Sequence, residues 1–433
     1  MTCDVRAPRI PLGRAHLLAS SLIREARRAG LGADAITPVG SLRRFAPAVG
    51  DVALLGVAPR ARHVSILNGF ARLPAATAVV SREPSSLTVE TARGPVTLHL
   101  TTPDHAGAAL VWHTGACSHV TQLQSRAERL GLRLSDACLT AAGGAELPCP
   151  SEQDLYAQLS LPYIPPELRH GEEEIEVADA GRLPRLLAES DIRGDLHMHS
   201  TWSDGRDTVA DMVSAARQLG YEYIAITDHS ERAWASRTLA AAQIDRQREE
   251  IERIRARARG IELLHGIEVD IMKDGRLDFD DEILARFDIV LASLHDHSGQ
   301  DGVQLTERYL CAIRHPLVNV ITHPTNRTPG QSDGYPLDFD ELWTAAVETG
   351  TALEIDGGPG HLDLDGALAR RAVAAGVTLV VDSDSHRLDA LARQMQFGVG
   401  TARRGWIEPH HVLNTRSVAD VRAFIARKRA RGQ

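Results

Sequence analysis

Nine side chains in the C-terminal half could do chemistry together: His197, His199, Asp204, His229, Glu268, His295, His323, Asp384 and His386. All offer nitrogen or oxygen, and none is a thiolate. That is too many donors for one ion and suits a cluster of two or three borderline or hard divalent cations. Mn²⁺, Zn²⁺ and Fe²⁺ all fit such a His-rich set. Such clusters act on phosphate esters, because the ions make hydroxide from water at neutral pH and clamp the phosphoryl oxygens. No catalytic side chain beyond the ligands is then needed. His197 and His199, two apart on a strand, point to one face. A lone H-x-H is weak, since two hydrogen-bonded histidines look the same. It is the whole set, each member closing a short apolar run, that carries weight.

Those runs must be strands that deliver their last residues to one place. Asp195–His199, Tyr221–Thr227, Glu262–Asp270, Asp288–His295, Val318–His323, Thr351–Asp356 and Thr378–Asp384 are short, Leu-rich and β-branched, as strands buried on both faces are. Amphipathic helices are predicted between them at Val209–Leu219, Ile244–Arg259, Leu305–Arg314, Asp340–Glu348 and Gly366–Ala375, several closed by glycine (Gly220, Gly260, Gly350, Gly376). Strand and helix alternating in this way give a parallel sheet, and parallel barrels gather polar residues at strand C-terminal ends. An open sheet would not converge seven strand ends, so the pattern predicts a distorted (β/α)7 barrel.

The first 190 residues read as α+β. A helix at Arg14–Gly30 precedes the turn Gly40-Ser-Leu-Arg-Arg44, and strands follow at Val52–Val57, Ala78–Ser81, Ser86–Thr91 and Pro95–Thr101. Leu161–Leu168 and Gly171–Glu174, rich in proline and acid, read as an inter-domain strap.

The 433 residues carry a net charge of −9, unevenly spread. Residues 1–150 hold 16 arginines against 10 acids, and residues 151–190 hold 3 against 9. A basic front half is compatible with nucleic acid and equally with an ordinary solvated surface. The five cysteines (Cys3, Cys117, Cys138, Cys149, Cys311) show no C-x-x-C pairing and read as reduced, buried thiols. Lysine occurs only at Lys273 and Lys428, so amines for Schiff-base chemistry are scarce. No apolar run suits a membrane span and no signal-peptide core is seen, which points to a cytoplasmic protein.

The order H-x-H, S-D-G, T-D-H, G-I-E-V-D, S-x-H, H-P and D-x-H resembles the polymerase and histidinol phosphatase (PHP) domain over about residues 191–416, including the tail Phe397–Trp406. The resemblance implies that His197, His199, Glu268 and Asp384 hold one metal. Glu268 would bridge to a second held by His295 and His323, and Asp204, His229 and His386 would hold a third. Departures lie at the mouth: related domains have Asn at Asp356, Arg at His361 and Gly at Asn326. These bear on substrate contacts rather than on metal binding. His265 and His315 read as structural, and His297 and His361 as candidates for the cleft.

Gly40-Ser-Leu-Arg-Arg44, Gly50-Asp51-Val-Ala53, Val111–Ala116 and Leu123–Leu139 resemble the palm and thumb of bacterial family X DNA polymerases. The implied organisation is a palm at 1–115, a thumb and Pro/acidic linker at 116–190, and a PHP domain at 191–433. Such palms hold two metals on three acids. Here Asp51 remains, but Ala53 and Thr97 stand at the other two positions, so polymerase activity is expected to be lost. The chain begins at the palm, and no helix-hairpin-helix region is expected before it. Arg43 and Arg44 are candidate DNA contacts. The expectation is a metal-dependent hydrolase of DNA phosphodiesters, a 3′–5′ exonuclease or a repair enzyme for 3′ ends and abasic sites, whose partner is single-stranded or primer-template DNA. The rivals are a small-molecule phosphomonoesterase of the histidinol-phosphatase type and a non-catalytic repair scaffold.

Overall fold

Seven parallel strands, hydrogen-bonded in chain order, form the sheet that carries the nine residues. The structure is a computed structural model and describes residues 9–31, 36–136, 138–297 and 299–431. The strands are Gly194–Asp195, Tyr223–Ile226, Glu262–Asp270, Ile289–Ser293, Val320–Ile321, Ala352–Asp356 and Leu379–Asp382. Six fall inside their predicted runs, and the first overlaps its run, Asp195–His199, only at Asp195. The runs were read longer because residues beyond the ladder, such as His197–His199, stay extended and buried at the barrel mouth.

The ring nearly closes. Where the first and last strands meet there is no full ladder, and two buried carboxylates stand in for it. Leu196 N–H donates to Asp382 Oδ1 at 2.7 Å and Ser383 N–H to Asp195 Oδ1 at 3.2 Å. Just beyond, His199 N–H donates to the Ser385 carbonyl at 2.9 Å. A carboxylate accepting backbone N–H groups does the work of a missing strand partner.

Alternation along the strands divides the core in two. Leu196, Tyr223, Ala225, Leu264, Ile289, Leu291, Val320, Ala352 and Val380 fill the barrel interior, where Leu413, Val421, Phe424 and Ile425 of the C-terminal segment join them. The intervening Ile224, Ile226, Leu263, Val290, Ile321, Leu353 and Val381 pack outward against the helices. Those helices start on side-chain caps: Thr208 with Asp211, Asp301 with Gln304, and Asp365 accepting from Leu368 N–H. Gly350 ends one of them at φ 73°, a left-handed conformation that a side chain would resist.

The chain divides into two compact units between Leu183 and Pro184. In the first, the helix Leu12–Arg28 accompanies a five-stranded mixed sheet in the order Ile36–Pro38, Val52–Val57, Val96–Thr101, Ser86–Glu90, Ala78–Arg82. Val52–Val57 runs parallel to Val96–Thr101 and antiparallel to Ile36–Pro38. The segment read as an inter-domain strap lies within this unit and is packed there. Arg169 and Glu174 are buried. Glu174 accepts from Gly171 N–H at 2.6 Å and Glu172 N–H at 2.9 Å and meets His119 Nδ1 at 2.7 Å. Acidic composition signals exposure only when the carboxylates lack partners, and here they have them. Of the cysteines, Cys138 and Cys149 are buried, Cys117 is half-buried and Cys311 is exposed, none of the four in a disulfide; Cys3 lies outside the described residues. No described helix is long and apolar enough to cross a membrane.

The C-terminal helix Val418–Arg431 buries Lys428, whose ammonium donates to the Ile313 carbonyl at 2.7 Å and to Thr351 Oγ1. Burial pulls its pKa down to about 7, against about 10.4 in an unfolded chain. The unfolded state then binds the extra proton between these values, so this residue makes stability rise with pH across the window, by at most about 1.4 kcal/mol per pH unit. Lys428→Met should flatten the melting temperature against pH between about 7 and 10, with its largest gain over the parent at the acid end. Parallel parent and variant curves from calorimetric scans would contradict this.

Candidate metal centre

Glu268 is the hub. It sits on the long third strand, fully buried, with five histidines around its two oxygens. His229 Nδ1, His197 Nε2 and His199 Nε2 lie 2.8, 3.4 and 3.5 Å from Oε2. His323 Nε2 and His295 Nε2 lie 3.0 and 3.8 Å from Oε1. Asp384 Oδ1 meets His199 Nε2 at 3.0 Å and His197 Nε2 at 3.5 Å. Asp204 Oδ1 lies 3.2 Å from His386 Nε2 and 3.5 Å from His229 Nε2. All nine sequence-predicted residues therefore share one site at the strand C-terminal ends.

Two of them sit on left-handed backbone, His323 at φ 25° and Asp384 at φ 47°. Non-glycine residues there are strained, and such strain gathers at functional sites. Burial pushes the Glu268 carboxyl up, but His229 and His197 outweigh it and hold the group well below the usual carboxylate range. Burial also pulls His199 down to about 3, helped by its neighbours His386 and His229. A histidine that resists a proton is one whose lone pair is available.

The donor set fits metal ions. His199 Nδ1, Asp204 Oδ1, His229 Nδ1, Glu268 Oε2 and His323 Nδ1 are buried without a hydrogen-bond partner. The closest contact, Glu268 Oε2 to His229 Nδ1, lacks hydrogen-bond geometry despite its 2.8 Å length. Among the described residues, three groups have donor atoms within 4.8 Å of one another: His199, Asp204, His229 and His386; His197, His199 and Asp384; and His229, Glu268 and His295. This division overlaps the one implied by resemblance, and differs in sharing His199 and His229 between groups and in leaving His323 outside them.

Two family models match the chain, the PHP domain over residues 195–332 and the DNA polymerase beta thumb over residues 109–170. A probable phosphatase of Shewanella oneidensis is 33% identical over 202 residues, 44% of this chain and 75% of that protein. A second, from Thermoanaerobacter sp. (strain X514), is 30% identical over 54% of this chain and 95% of its own length. The chain belongs to the PHP family. It is also 39% identical over 334 residues to the DNA polymerase/3′-5′ exonuclease PolX of Bacillus subtilis, which covers 77% of this chain. The match spans 58% of that relative's length.

Within the PHP barrel, three buried acids orient the site, and sequence reading gave them no role. Glu354 Oε1 meets His197 Nδ1 at 2.7 Å, and its Oε2 accepts His323 N–H at 2.7 Å. Asp270 Oδ1 meets His295 Nδ1 at 2.6 Å. Asp228 accepts from Ser200 N–H and Oγ–H, Ser203 N–H and Oγ–H and the Gln247 amide, all at 2.6–3.1 Å. It thereby pins the turn between His199 and Asp204. Their signal was present as acids inside apolar strands, where an unpaired charge would not be tolerated.

The outlying residues divide. His265 is buried against Phe287 with Nε2 2.9 Å from Gln247, and His315 meets Asp281 at 3.1 Å on the surface. His361 stacks on His323 at 5.2 Å, and His297 lies 5.2 Å from Tyr335. Asn326 holds φ 47°, which asparagine tolerates better than most residues; this explains how it replaces a glycine. Asp356 is buried, and burial beside Asp384 and Glu354 pushes it well above the usual carboxylate range.

In the front unit, strand register sets Ala53 directly beside Thr97. Thr97 Oγ1 is taken up by Thr88 Oγ1 at 2.9 Å, and His99 stacks on His113 at 4.0 Å. Of the three acid positions only Asp51 carries a carboxylate. Arg43, a candidate DNA contact, is half-buried and forks onto both oxygens of Glu152 at 2.8 and 2.7 Å, and Glu152 also binds Arg169 at 2.6 Å. Its planar donors match a carboxylate, and a buried carboxylate needs them more than solvent-borne phosphate does. Arg44 donates to the Thr114 carbonyl at 2.5 Å, and burial lowers its pKa to about 10.

Carboxylates behind ligating histidines fix ring orientation and raise ligand basicity. Asp270→Asn and Glu354→Gln should each weaken divalent-ion affinity about 10- to 100-fold, measured by calorimetric titration of metal-stripped protein. Unchanged affinity in both would remove these acids from the site.

Proposed function

We propose that this protein is a metal-dependent hydrolase of DNA phosphodiesters, working as a 3′–5′ exonuclease or on damaged 3′ ends and abasic sites. The observation that carries the reading is Glu268 with histidines on both oxygens, a bridging arrangement that one ion does not require. His197, His199, Glu268 and Asp384 would hold one ion, His295 and His323 with Glu268 a second, and Asp204, His229 and His386 a third. Manganese, zinc or ferrous ions suit these donors. When bound, such ions supply hydroxide at neutral pH and neutralise the phosphoryl oxygens.

The chain's own residues keep the donors aimed. Glu354 and Asp270 turn His197 and His295 inward, and Asp228 holds the Asp204 turn against the barrel. DNA is favoured as substrate by the polymerase-type thumb and by the likeness to the DNA polymerase/3′-5′ exonuclease PolX. The front unit serves as a platform for the strand, and nucleotide addition is lost with the acids at Ala53 and Thr97. A second reading, phosphate-monoester hydrolysis, rests on the probable phosphatases that match the barrel.

The deciding experiment incubates metal-loaded protein with a 5′-labelled single strand and, separately, with histidinol phosphate. A ladder of shortened DNA that vanishes in His199→Ala, with a rate loss of at least about a hundredfold, is the expected result. Phosphate release from the small ester alone would favour the second reading. A further check concerns the palm. The parent should not extend a primer, whereas Ala53→Asp with Thr97→Asp should regain weak nucleotide addition, since adjacent strands would again present paired acids. Primer extension by the unmodified chain would overturn the loss.

A further inference from the structure

Trp234 is 76% exposed, the most exposed large hydrophobic side chain among the described residues. It stands in the loop that follows the second barrel strand. This loop leaves directly from His229, and Leu239 N–H returns to donate to the His229 carbonyl at 2.8 Å. Arg237 Nη2 donates to the Gly205 carbonyl at 2.9 Å, beside Asp204. Ser230 N–H donates to the Glu268 carbonyl at 2.9 Å, and Ala233 is buried beneath the turn. The loop is thus fastened at three points to residues of the metal centre, and its tip carries an indole into solvent.

The same loop and the turn it is tied to carry three exposed arginines. Arg232 precedes the indole and stays largely exposed, touching Asp278 at 3.5 Å. Exposed Arg237 follows it in the same loop. Arg206, also exposed, sits on the adjoining turn, where its N–H donates to the His386 carbonyl at 2.9 Å. An exposed indole on a loop that also carries exposed arginines, anchored beside a phosphate-ester site, suits a ligand with flat rings on a polyanionic thread. A lone phosphate ester would use the arginines and leave the indole idle. Aromatic faces hold bases of single strands regardless of sequence, while arginines follow the backbone.

We infer that Trp234 is a stacking platform for a base of a single-stranded nucleic acid whose backbone enters the metal centre past Arg206, Arg232 and Arg237. This rests on the proposed DNA substrate and adds how the strand is held. It makes the loop a determinant of which end structures are accepted: a terminus with an unpaired base engages the indole, and a baseless one does not.

The test titrates the full-length, Mn²⁺-loaded chain with an oligothymidylate about ten nucleotides long and with an abasic oligomer of equal length. Both carry phosphorothioate linkages to slow cutting. Binding is followed by fluorescence anisotropy and by tryptophan emission. Thymidylate should quench the parent's emission. Trp234→Phe should lose most of that quench while binding almost as well. Trp234→Ala should bind thymidylate about tenfold more weakly, and all three proteins should bind the abasic oligomer alike. A quench that persists in Trp234→Phe, or parental affinity for thymidylate in Trp234→Ala, would overturn the inference and leave the nuclease reading standing. A parent that binds neither oligomer would overturn both.

Discussion

Glu268 is fully buried with a histidine nitrogen on every side, and the rest of the barrel can be understood as what makes that arrangement possible. A carboxylate moved out of water loses several kcal/mol of solvation unless its partners are fixed in advance. Fixing them requires donors from several strands to arrive at one point without side-chain freedom. A closed parallel ring does this, since every strand ends on the same rim. The third strand, nine residues long, is the longest of the seven and carries Glu268.

The ring is itself held by acids. Where the short first strand meets the last, Asp195 and Asp382 take each other's strand N–H groups. Asp384 lies two residues beyond Asp382, and His197 two beyond Asp195, so the residues that close the barrel also set the ends from which two donors project. Glu354 ties the first strand to the fifth and sixth through His197 and the His323 backbone. Fold closure and site geometry are therefore one network. A carboxylate removed from it would leave several buried donors unsatisfied at once.

Much of this was legible in the chain because two periodicities act together. Buried parallel strands read as short apolar runs, and a polar residue just past each run has nowhere to go but the rim. That logic located all seven strands and the nine clustered donors. It could not assign Glu354 or Asp270, since an acid inside an apolar run is equally a strand-end cap, and only its partner distinguishes the two. Arg43 and Glu174 were illegible for the opposite reason. Their surroundings in sequence look solvated, yet Arg43 meets Glu152 across 109 residues and Glu174 meets His119 across 55. Ion pairs of that span leave no local trace. Trp234 was overlooked because an isolated exposed aromatic has no pattern; its position on a loop anchored to the metal centre is what gives it meaning.

The two units hold their acids under different rules, and this accounts for their different state. In the front unit Ala53 is buried in a small apolar cluster with Val39, Leu55 and Ala109, and Thr97 is half-buried on the neighbouring strand. Neither position depends on a charged partner, and Thr97 shares its hydroxyl with Thr88. In the barrel each acid is buried among histidines and backbone donors that depend on it, and removing one leaves an uncompensated charge or an empty donor. The barrel site is thus coupled to folding while the palm site is not.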